Sequence, residues 1–577
     1  MLSQIQYRHF KTYRESAIVL LLTVLAFGVR VHRVDFNSLS EDETAKWEAV
    51  QQYRHGHFVG VNSEHPMLPK VLAWASLSAG EHWNRIAAEH GWPSMKAEGW
   101  IRMPNVLFGA LTAAILYLLC RRMMGTVGSF AAGFFWAVAP LPVALNRLTK
   151  EETPLIFFTL LACYFYCLAQ QEDVDKIARR WYDLSAIGFG LALASQYILH
   201  LLGLNALAWA IAGKMGLTRK ASRFRYGRFF LVMFIAFILV NPVILSPANS
   251  HAILNWLHHD GVKHSGYDFD GTLYMNFPGR LLAGVPWFYY VWLMVVKTPI
   301  PILMAVVIGG ALLLRDRRTV ASCFFLSLGI LQFVGLSLSG AKWIRYSLPM
   351  LPFFLLAGGY GVQKLWNALR ARGLSTVSVT TAALILIGWP LFELQAWMPY
   401  YSFYLNSIGG GTRNITRYFA PDEVSEFDTR EVAQQVCPVA PVATRVATAR
   451  PMSMGYYIGT CGRADIQIMP LYDPNYVPRE GDLIVLEPSR RFFETQRFFD
   501  TLTRSHASRS EIHVGPVWAS TIFRFDSSVP QPGSTQQNAA VTPFQVGRPR
   551  LYGSVQESSS TEVNRVQFSD LARRLLQ

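Results

Sequence analysis

A 577-residue chain with 51% hydrophobic and only 16% charged residues falls well short of the ~25% charge usual in soluble domains, which excludes a wholly soluble protein. The net charge of +15 would suit nucleic acid, but no nucleic-acid motif occurs and much of the basic charge sits in short loops between apolar runs. Membrane topology accounts for the charge better than a nucleic-acid partner does.

The first apolar run, 17–29, is preceded by Arg8, Lys11 and Arg14 and followed by Arg30, His32 and Arg33. No small-residue cleavage site stands there, so the run reads as a first transmembrane anchor and not as a cleaved signal. Stretches of spanning length lie at 14–34, 101–120, 127–145, 153–170, 182–197, 198–213, 228–247, 293–314, 320–339, 344–362 and 375–397. That predicts about eleven helices, each near the ~20 residues a bilayer needs. The stretch 182–213 reads as one long helix or as two short ones.

Arg121-Arg122 and the segments 176–180, 214–228, 315–318 and 364–372 are basic and fall on one side under this count. That side is therefore cytoplasmic, with the N-terminus on it. The other side receives 35–100, 146–152, 248–292, 340–343 and everything after 397. Within 71–100 the apolar run is short and Trp83 and Trp92 follow, which suits an amphipathic segment lying in the interface. Trp287-Phe288-Tyr289-Tyr290 reads similarly.

The predicted architecture is a polytopic α-helical membrane domain over 1–411, with 35–100 as its first outer loop, and a small extramembrane α/β domain over 412–525. In the latter, 428–436 has a helical pattern while 482–486 and 519–525 alternate like strands. From 526 to 577 Ser, Pro, Gln and Gly dominate, which predicts a mostly disordered tail with one helix at 568–576. Cys120, Cys163, Cys167 and Cys323 lie in apolar runs and read as packing residues. Cys437 and Cys461 are the two in the polar part; in an oxidising compartment they are expected to form a disulfide. No Cys-x-x-Cys pair and no zinc spacing occurs.

The chemistry gathers on the outer side. Ser40-Glu41-Asp42-Glu43 sets three carboxylates in a row just past the first span, where mutual repulsion and dehydration make them costly as packing filler. Glu64, His65, Lys70, Arg102, Arg147, Lys150, Glu151, Glu152, Lys342 and Arg345 fall at the same face. Ionisable groups at helix ends at this depth mark substrate paths and need partners. Any single Arg or Lys among them also reads as interfacial snorkelling with a structural ion pair.

These residues carry a resemblance. Asp42-Glu43 resembles the acidic pair of the protein O-mannosyltransferase family, and His65-Pro66-Met67-Leu68-Pro69-Lys70 is similar to its His-Pro-Pro-Leu-Gly-Lys. Arg102 with Phe108-Gly109, and Arg147 with Glu152-Thr153-Pro154-Leu155 and Phe157-Phe158, resemble its next two landmarks. His264 with Gly271, Lys297-Thr298-Pro299, Arg345-Tyr346 with Pro349 and Pro352, and the segment 404–410 are similar to bacterial members, including aminoarabinose transferase-like enzymes. Met67 stands in place of the family's second Pro. Glu152 stands where Asp is usual, a longer arm for which Glu151 is an alternative.

The resemblance implies a membrane-embedded GT-C glycosyltransferase of the family 39 type. Such enzymes pass a sugar from a polyprenyl-phosphate carrier to an acceptor at the outer face and invert the anomeric centre. The acceptor is a protein, lipid or envelope glycan, and membrane lipids surround the core. Asp42 is implied as the base that takes the acceptor proton, and Glu43 beside it suits support of the loop, paired with Lys46 or Arg147. Glu152 or Glu151 orients the acceptor or the loop. Lys70, His65, Arg102, Arg147, Lys342 and Arg345 are implied at the donor phosphate, whose developing charge needs cationic donors. His264 is a further candidate, as phosphate contact, metal ligand or loop cap, with the cap favoured. No cofactor is required on this reading, and a divalent metal is neither obligatory nor indicated. The rival is a transporter or lipid flippase, which favours charges near the bilayer midplane and inverted repeats; here the charges keep to one face and no repeat is evident.

Overall fold

The computed structural model describes residues 2–218, 224–256, 266–276, 281–373, 376–420, 422–505, 507–515, 517–526, 529 and 531–532. The expected disordered tail with its helix at 568–576 lies outside the described residues, and so does His264. In chain order the helices are α1 (Leu2–Val31), α2 (Glu41–Arg54), α3 (Leu68–His90), α4 (Ala97–Arg121), α5 (Thr126–Val138), α6 (Pro140–Asn146), α7 (Glu152–Gln171), α8 (Asp175–Ser195), α9 (His200–Lys214), α10 (Tyr226–Val240) and α11 (Pro247–Asn255). A hairpin of β1 (Tyr267–Phe269) and β2 (Thr272–Tyr274) leads to α12 (Tyr289–Lys297), α13 (Ile300–Arg315), α14 (Val320–Phe324), α15 (Gln332–Leu338), α16 (Leu351–Ala371) and α17 (Thr376–Ala396).

Among the described residues, α4, α7 and the continuous run Val320–Leu338 are long and apolar enough to cross a membrane. The pair α5 and α6 adds a fourth if it counts as one span. Several expected spans are interrupted, and proline is a recurring cause. The stretch 127–145 bends by 57° between α5 and α6, and 293–314 breaks at Thr298-Pro299 between α12 and α13. The stretch 344–362 begins with a 3-10 turn at Ile344–Ser347 before α16. The 182–213 stretch is two helices, the end of α8 and α9.

The α5–α6 bend has a specific support. Pro140 has no N–H, so the Trp136 carbonyl loses its helical partner. Arg30 fills the gap: it is buried and donates to the carbonyls of Trp136 at 2.9 Å and Ala137 at 3.1 Å, and to Asn146 Oδ1 at 3.1 Å. Read from sequence as a flank of the first anchor, Arg30 instead splices α1 to the broken helix. Elsewhere the helices approach through small residues. A Cβ on Gly361 of α16 would stand 2.8 Å from the Ala305 carbonyl of α13, an approach only glycine permits.

The C-terminal region builds α18 (Thr429–Val439), β3 (Arg445–Thr448), α19 (Pro451–Thr460), β4 (Gln467–Pro470), β5 (Leu483–Leu486), α20 (Gln496–Leu502), β6 (Arg509–Val514) and β7 (Val517–Arg524). The five strands form one sheet in the order β4-β3-β5-β7-β6, parallel across β4-β3-β5 and antiparallel beyond. The helix read at 428–436 is α18, and the runs 482–486 and 519–525 fall on β5 and β7. A Cys437–Cys461 disulfide ties α18 to the end of α19, with the Cα atoms 6.4 Å apart.

This region does not hang from a tether. Leu39, Val50 of α2, Ala73 and Leu77 of α3 and Ile101 of α4 share one buried cluster with Val432, Val436, Tyr457 and Val485. The apolar faces of α2 and α3 are thus covered by the α/β region, and burial of that surface holds the two parts together.

Candidate active site on the acidic helix

Helix α2 starts where the sequence puts three acids. Ser40 is its N-cap and forms a capping box with Glu43, and Glu41, Asp42 and Glu43 complement the positive end of the helix. Asp42 is the acid that faces other ionic groups in an accessible place: its side chain is 40% exposed. One oxygen, Oδ2, accepts hydrogen bonds from Lys150 Nζ and from Arg345 Nη1, the latter at 2.6 Å. Lys150 comes from the turn between α6 and α7, and Arg345 from the turn before α16, so three distant segments converge. Partial burial pushes the Asp42 carboxyl up, but Lys150, Arg345 and Lys46 outweigh it and hold the group well below the usual carboxylate range.

A cavity of about 210 Å³ adjoins Asp42, lined among others by Lys46, Glu64, His65, Lys70 and Glu151. Lys46 pairs with Glu151 at 2.8 Å. His65 Nε2 lies 3.4 Å from Glu64 and 3.7 Å from Glu151. Burial would raise the Glu151 carboxyl, yet His65 and Lys46 keep it at about 2. Among the described residues Lys70 forms no ion pair with a carboxylate at contact distance, although Glu151 and Glu64 lie near enough to act on its charge. Its ammonium donates to the His65 carbonyl at 2.7 Å and to Asn62 Oδ1 at 3.3 Å, and burial brings its pKa down to about 7. Glu152, at the start of α7, stands 3.7 Å from Arg345 Nε, and its Oε2 is buried without a hydrogen-bond partner among the described residues.

The remaining expected residues sit elsewhere. Glu43 and Arg102 form a closed pair, 1% and 0% exposed in reverse order, with Nε and Nη2 each 2.8 Å from a Glu43 oxygen. The other Arg102 N–H groups go to the carbonyls of Val34, Asn37 and Ser38. With all five donors taken, Arg102 has none left for a phosphate. Glu43 also accepts the Thr149 N–H at 2.9 Å and the Ser40 N–H at 3.0 Å. Its carboxyl is brought to about 2 as Arg102 overcomes the effect of burial. A partnership of Glu43 with Lys46 or Arg147, the expectation from sequence, is replaced by this one. Arg147 donates to the Arg33 carbonyl at 2.8 Å and lies over the Tyr401 ring. Lys342 is buried, donates to the Ser339 carbonyl at 2.5 Å, and is lowered to about 8 by that burial.

Two residues that matter here were given no part beside Asp42 or Glu151 from sequence. Lys150 precedes Glu151-Glu152 directly, and Lys46 follows Asp42 by one helical turn. The i, i+4 spacing on a capped helix was the signal available for Lys46; the contact with Lys150 spans 108 residues and left no local pattern. Among the described residues no three His, Cys, Asp or Glu side chains group together to hold a metal ion.

Comparison with known proteins places this site in context. Residues 94–245 match the model of the family described as dolichyl-phosphate-mannose-protein mannosyltransferase. A curated relative, "Putative mannosyltransferase YkcB" of Bacillus subtilis (strain 168), is 24% identical over 198 residues, 33% of this chain and 26% of the relative. The chain thus spans about a quarter of the length of that relative. Among solved structures, ArnT from Cupriavidus metallidurans in the apo state superposes with a TM-score of 0.50 at 12% identity, covering 88% of this chain and 98% of ArnT. The same protein bound to undecaprenyl phosphate gives 0.48 at 13% identity, covering 87% and 97%. The landmarks at Arg102, Phe108-Gly109, Arg147 and 152–158 fall inside the matched segment. Residues 94–245 are thus similar to the dolichyl-phosphate-mannose-protein mannosyltransferase family, and the helical fold with its C-terminal α/β region is similar to that of ArnT.

Proposed function

We propose that this chain is an inverting glycosyltransferase that moves a sugar from a polyprenyl-phosphate donor to an acceptor hydroxyl at the outer face of the cytoplasmic membrane. The carrying observation is the Asp42 carboxylate, ionised, half open to a cavity, and held between Lys150 and Arg345. In the resting protein those cations keep Asp42 a weak base. A donor phosphate entering the cavity competes for them, and as they turn to it the Asp42 carboxyl rises toward the range where it takes a proton well.

The acceptor O–H then gives its proton to Asp42 as its oxygen forms a bond to the anomeric carbon. The bond from that carbon to the phosphate oxygen breaks on the opposite face, and the electron pair leaves with the polyprenyl phosphate. Arg345, Lys150 and Lys70 are positioned to stabilise that developing charge. Glu151 and Glu152 hold Lys46 and Arg345 in place. Arg102 and Glu43 fix the fold of the loop, and His65 supports Lys70 through its carbonyl. In this reading the N-terminus is cytoplasmic, about eleven membrane-crossing segments make up 1–411, and the α/β domain over 412–525 is outside.

The test is transfer by the purified full chain from undecaprenyl-phosphate-mannose and related lipid-phosphate sugars to water or a hydroxyl acceptor. Release of undecaprenyl phosphate with an inverted anomer is the expected result. Absence of release from every such donor by a folded protein defeats the proposal and moves transport to the front.

A further inference from the structure

Helix α2 needs acceptors for the N–H groups of its first turn. Ser40 and Glu43 serve two of them through the capping box. The amide of Glu41 is served from the other part of the molecule: Glu426 Oε2 accepts it at 2.8 Å across 385 residues. The favour is returned within the same contact. Glu41 accepts the N–H groups of Met452 at 2.9 Å and Ser453 at 3.0 Å, together with the Ser453 hydroxyl. These are the first amides of α19, whose own N-cap residue, Arg450, offers no side-chain cap. Each helix is thus capped by a carboxylate that the other part supplies.

Glu426 is held with care. Its φ of +39° is a left-handed conformation that non-glycine residues rarely adopt, and such backbone clusters at functional sites. Its N–H donates to the Asp422 carbonyl at 2.9 Å, and its carboxylate pairs with Arg490 and lies 3.7 Å from Arg450. Arg450 is itself bound to Asp422 and Asp428. A strained residue, anchored by two arginines, reaches out of the α/β domain to the residue next to Asp42.

We propose that Glu426 and Glu41 are positioning residues, a reciprocal pair of helix caps through which the C-terminal domain sets the first turn of α2 and so the Asp42 carboxylate in its ion cluster. This rests on the glycosyltransferase reading for its catalytic consequence and on the geometry alone for the caps. The domain holds Glu41, the helical core holds Asp42 through Lys150 and Arg345, and the seam runs between neighbouring residues.

The experiment uses the full chain in detergent and compares wild type with Glu426→Ala, Glu426→Gln and Glu41→Ala by amide hydrogen exchange. Transfer from undecaprenyl-phosphate-mannose and binding of undecaprenyl phosphate are measured in parallel. Glu426→Ala is expected to speed exchange in residues 41–45 by about tenfold or more, as a local opening, with β3, β5 and β7 unchanged. It should lower kcat while undecaprenyl phosphate affinity holds. Glu426→Gln keeps an acceptor for the Glu41 amide and should restore most of both. Glu41→Ala should loosen 451–455 as well as 41–45, which keeps the test alive if Glu426→Ala fails to fold. Unchanged exchange at 41–45, or faster exchange throughout the sheet, overturns the proposal. A wild type that transfers no sugar sinks the proposed function, and the exchange arm then judges the caps by itself.

Discussion

Adjacent carboxylates with opposite fates are the clearest lesson at the scale of single residues. Asp42 and Glu43 are neighbours on a helix, about 100° apart, and one faces a cavity while the other is sealed against Arg102. Asp42→Asn keeps shape and removes the basic lone pair, so transfer should fall by about 10²–10⁴-fold with undecaprenyl phosphate binding retained. Wild-type transfer in Asp42→Asn alongside an inactive Glu43→Gln would shift the base to Glu43. Lys70 supplies a pH signature. With its pKa brought to about 7, it is charged below that pH and neutral above it. Affinity for undecaprenyl phosphate should therefore weaken by up to about tenfold per pH unit above 7, although the lipid phosphate, with a second pKa near 6, is already dianionic there. Stability runs the other way. The unfolded chain keeps this proton up to lysine's ordinary range, so any gain from Lys70→Met should be largest below pH 7 and vanish toward pH 10. Binding whose pH dependence is the same in wild type and Lys70→Met would remove Lys70 from the phosphate site. The sequence made Asp42, Lys70 and Arg345 legible because charge at a helix end near a membrane is expensive and demands a reason. It misassigned Arg102, because whether an arginine's five donors are already engaged is set by carbonyls 64 to 68 residues away.

Among the elements, α2 and the α5–α6 break differ in how far sequence could reveal them. The Ser40-Glu41-Asp42-Glu43 run is a capping box followed by acids at a positive helix end, a signal written in four consecutive residues. The break at Pro140 is just as local, but the support from Arg30 is not, and apolar composition alone blends α5 and α6 into one span. The Arg102–Glu43 pair is the element-scale joint, linking α4, α2 and, through Thr149, the turn before α7. Removing one partner leaves a charge buried without compensation, which costs about 3–5 kcal/mol. Arg102→Ala should accordingly lower thermal stability by that order without altering undecaprenyl phosphate affinity of the folded fraction. An Arg102→Met/Glu43→Met double variant should be less destabilised than the sum of the single changes. A stable Arg102→Ala protein that has lost phosphate affinity would return this arginine to the donor site.

Across the whole molecule, apolar runs stop near Trp397 and alternating strand patterns begin after it, and the change from helices to a mixed sheet in the structure follows that change in composition. Their mutual packing was not legible, because the residues of the shared cluster are ordinary apolar positions in each part. That packing decides how topology should be measured. A fusion truncated near Gly411 strips the cover from α2 and α3 and exposes their apolar faces, so it reports on a damaged protein. Single cysteines in the full chain avoid this. The four free cysteines are all buried and the other two are bridged, which keeps background labelling low. Arg372, after α16, and Glu480, before β5, are both exposed in the described structure. Basic loops on one side imply that Arg372 faces the cytoplasm and Glu480 the exterior. In intact cells a membrane-impermeant maleimide should label Glu480→Cys and leave Arg372→Cys unlabelled until the membrane is opened. Labelling of both before permeabilisation, or of Arg372→Cys alone, contradicts the orientation, and with it the placement of Asp42 and its cavity at the outer face.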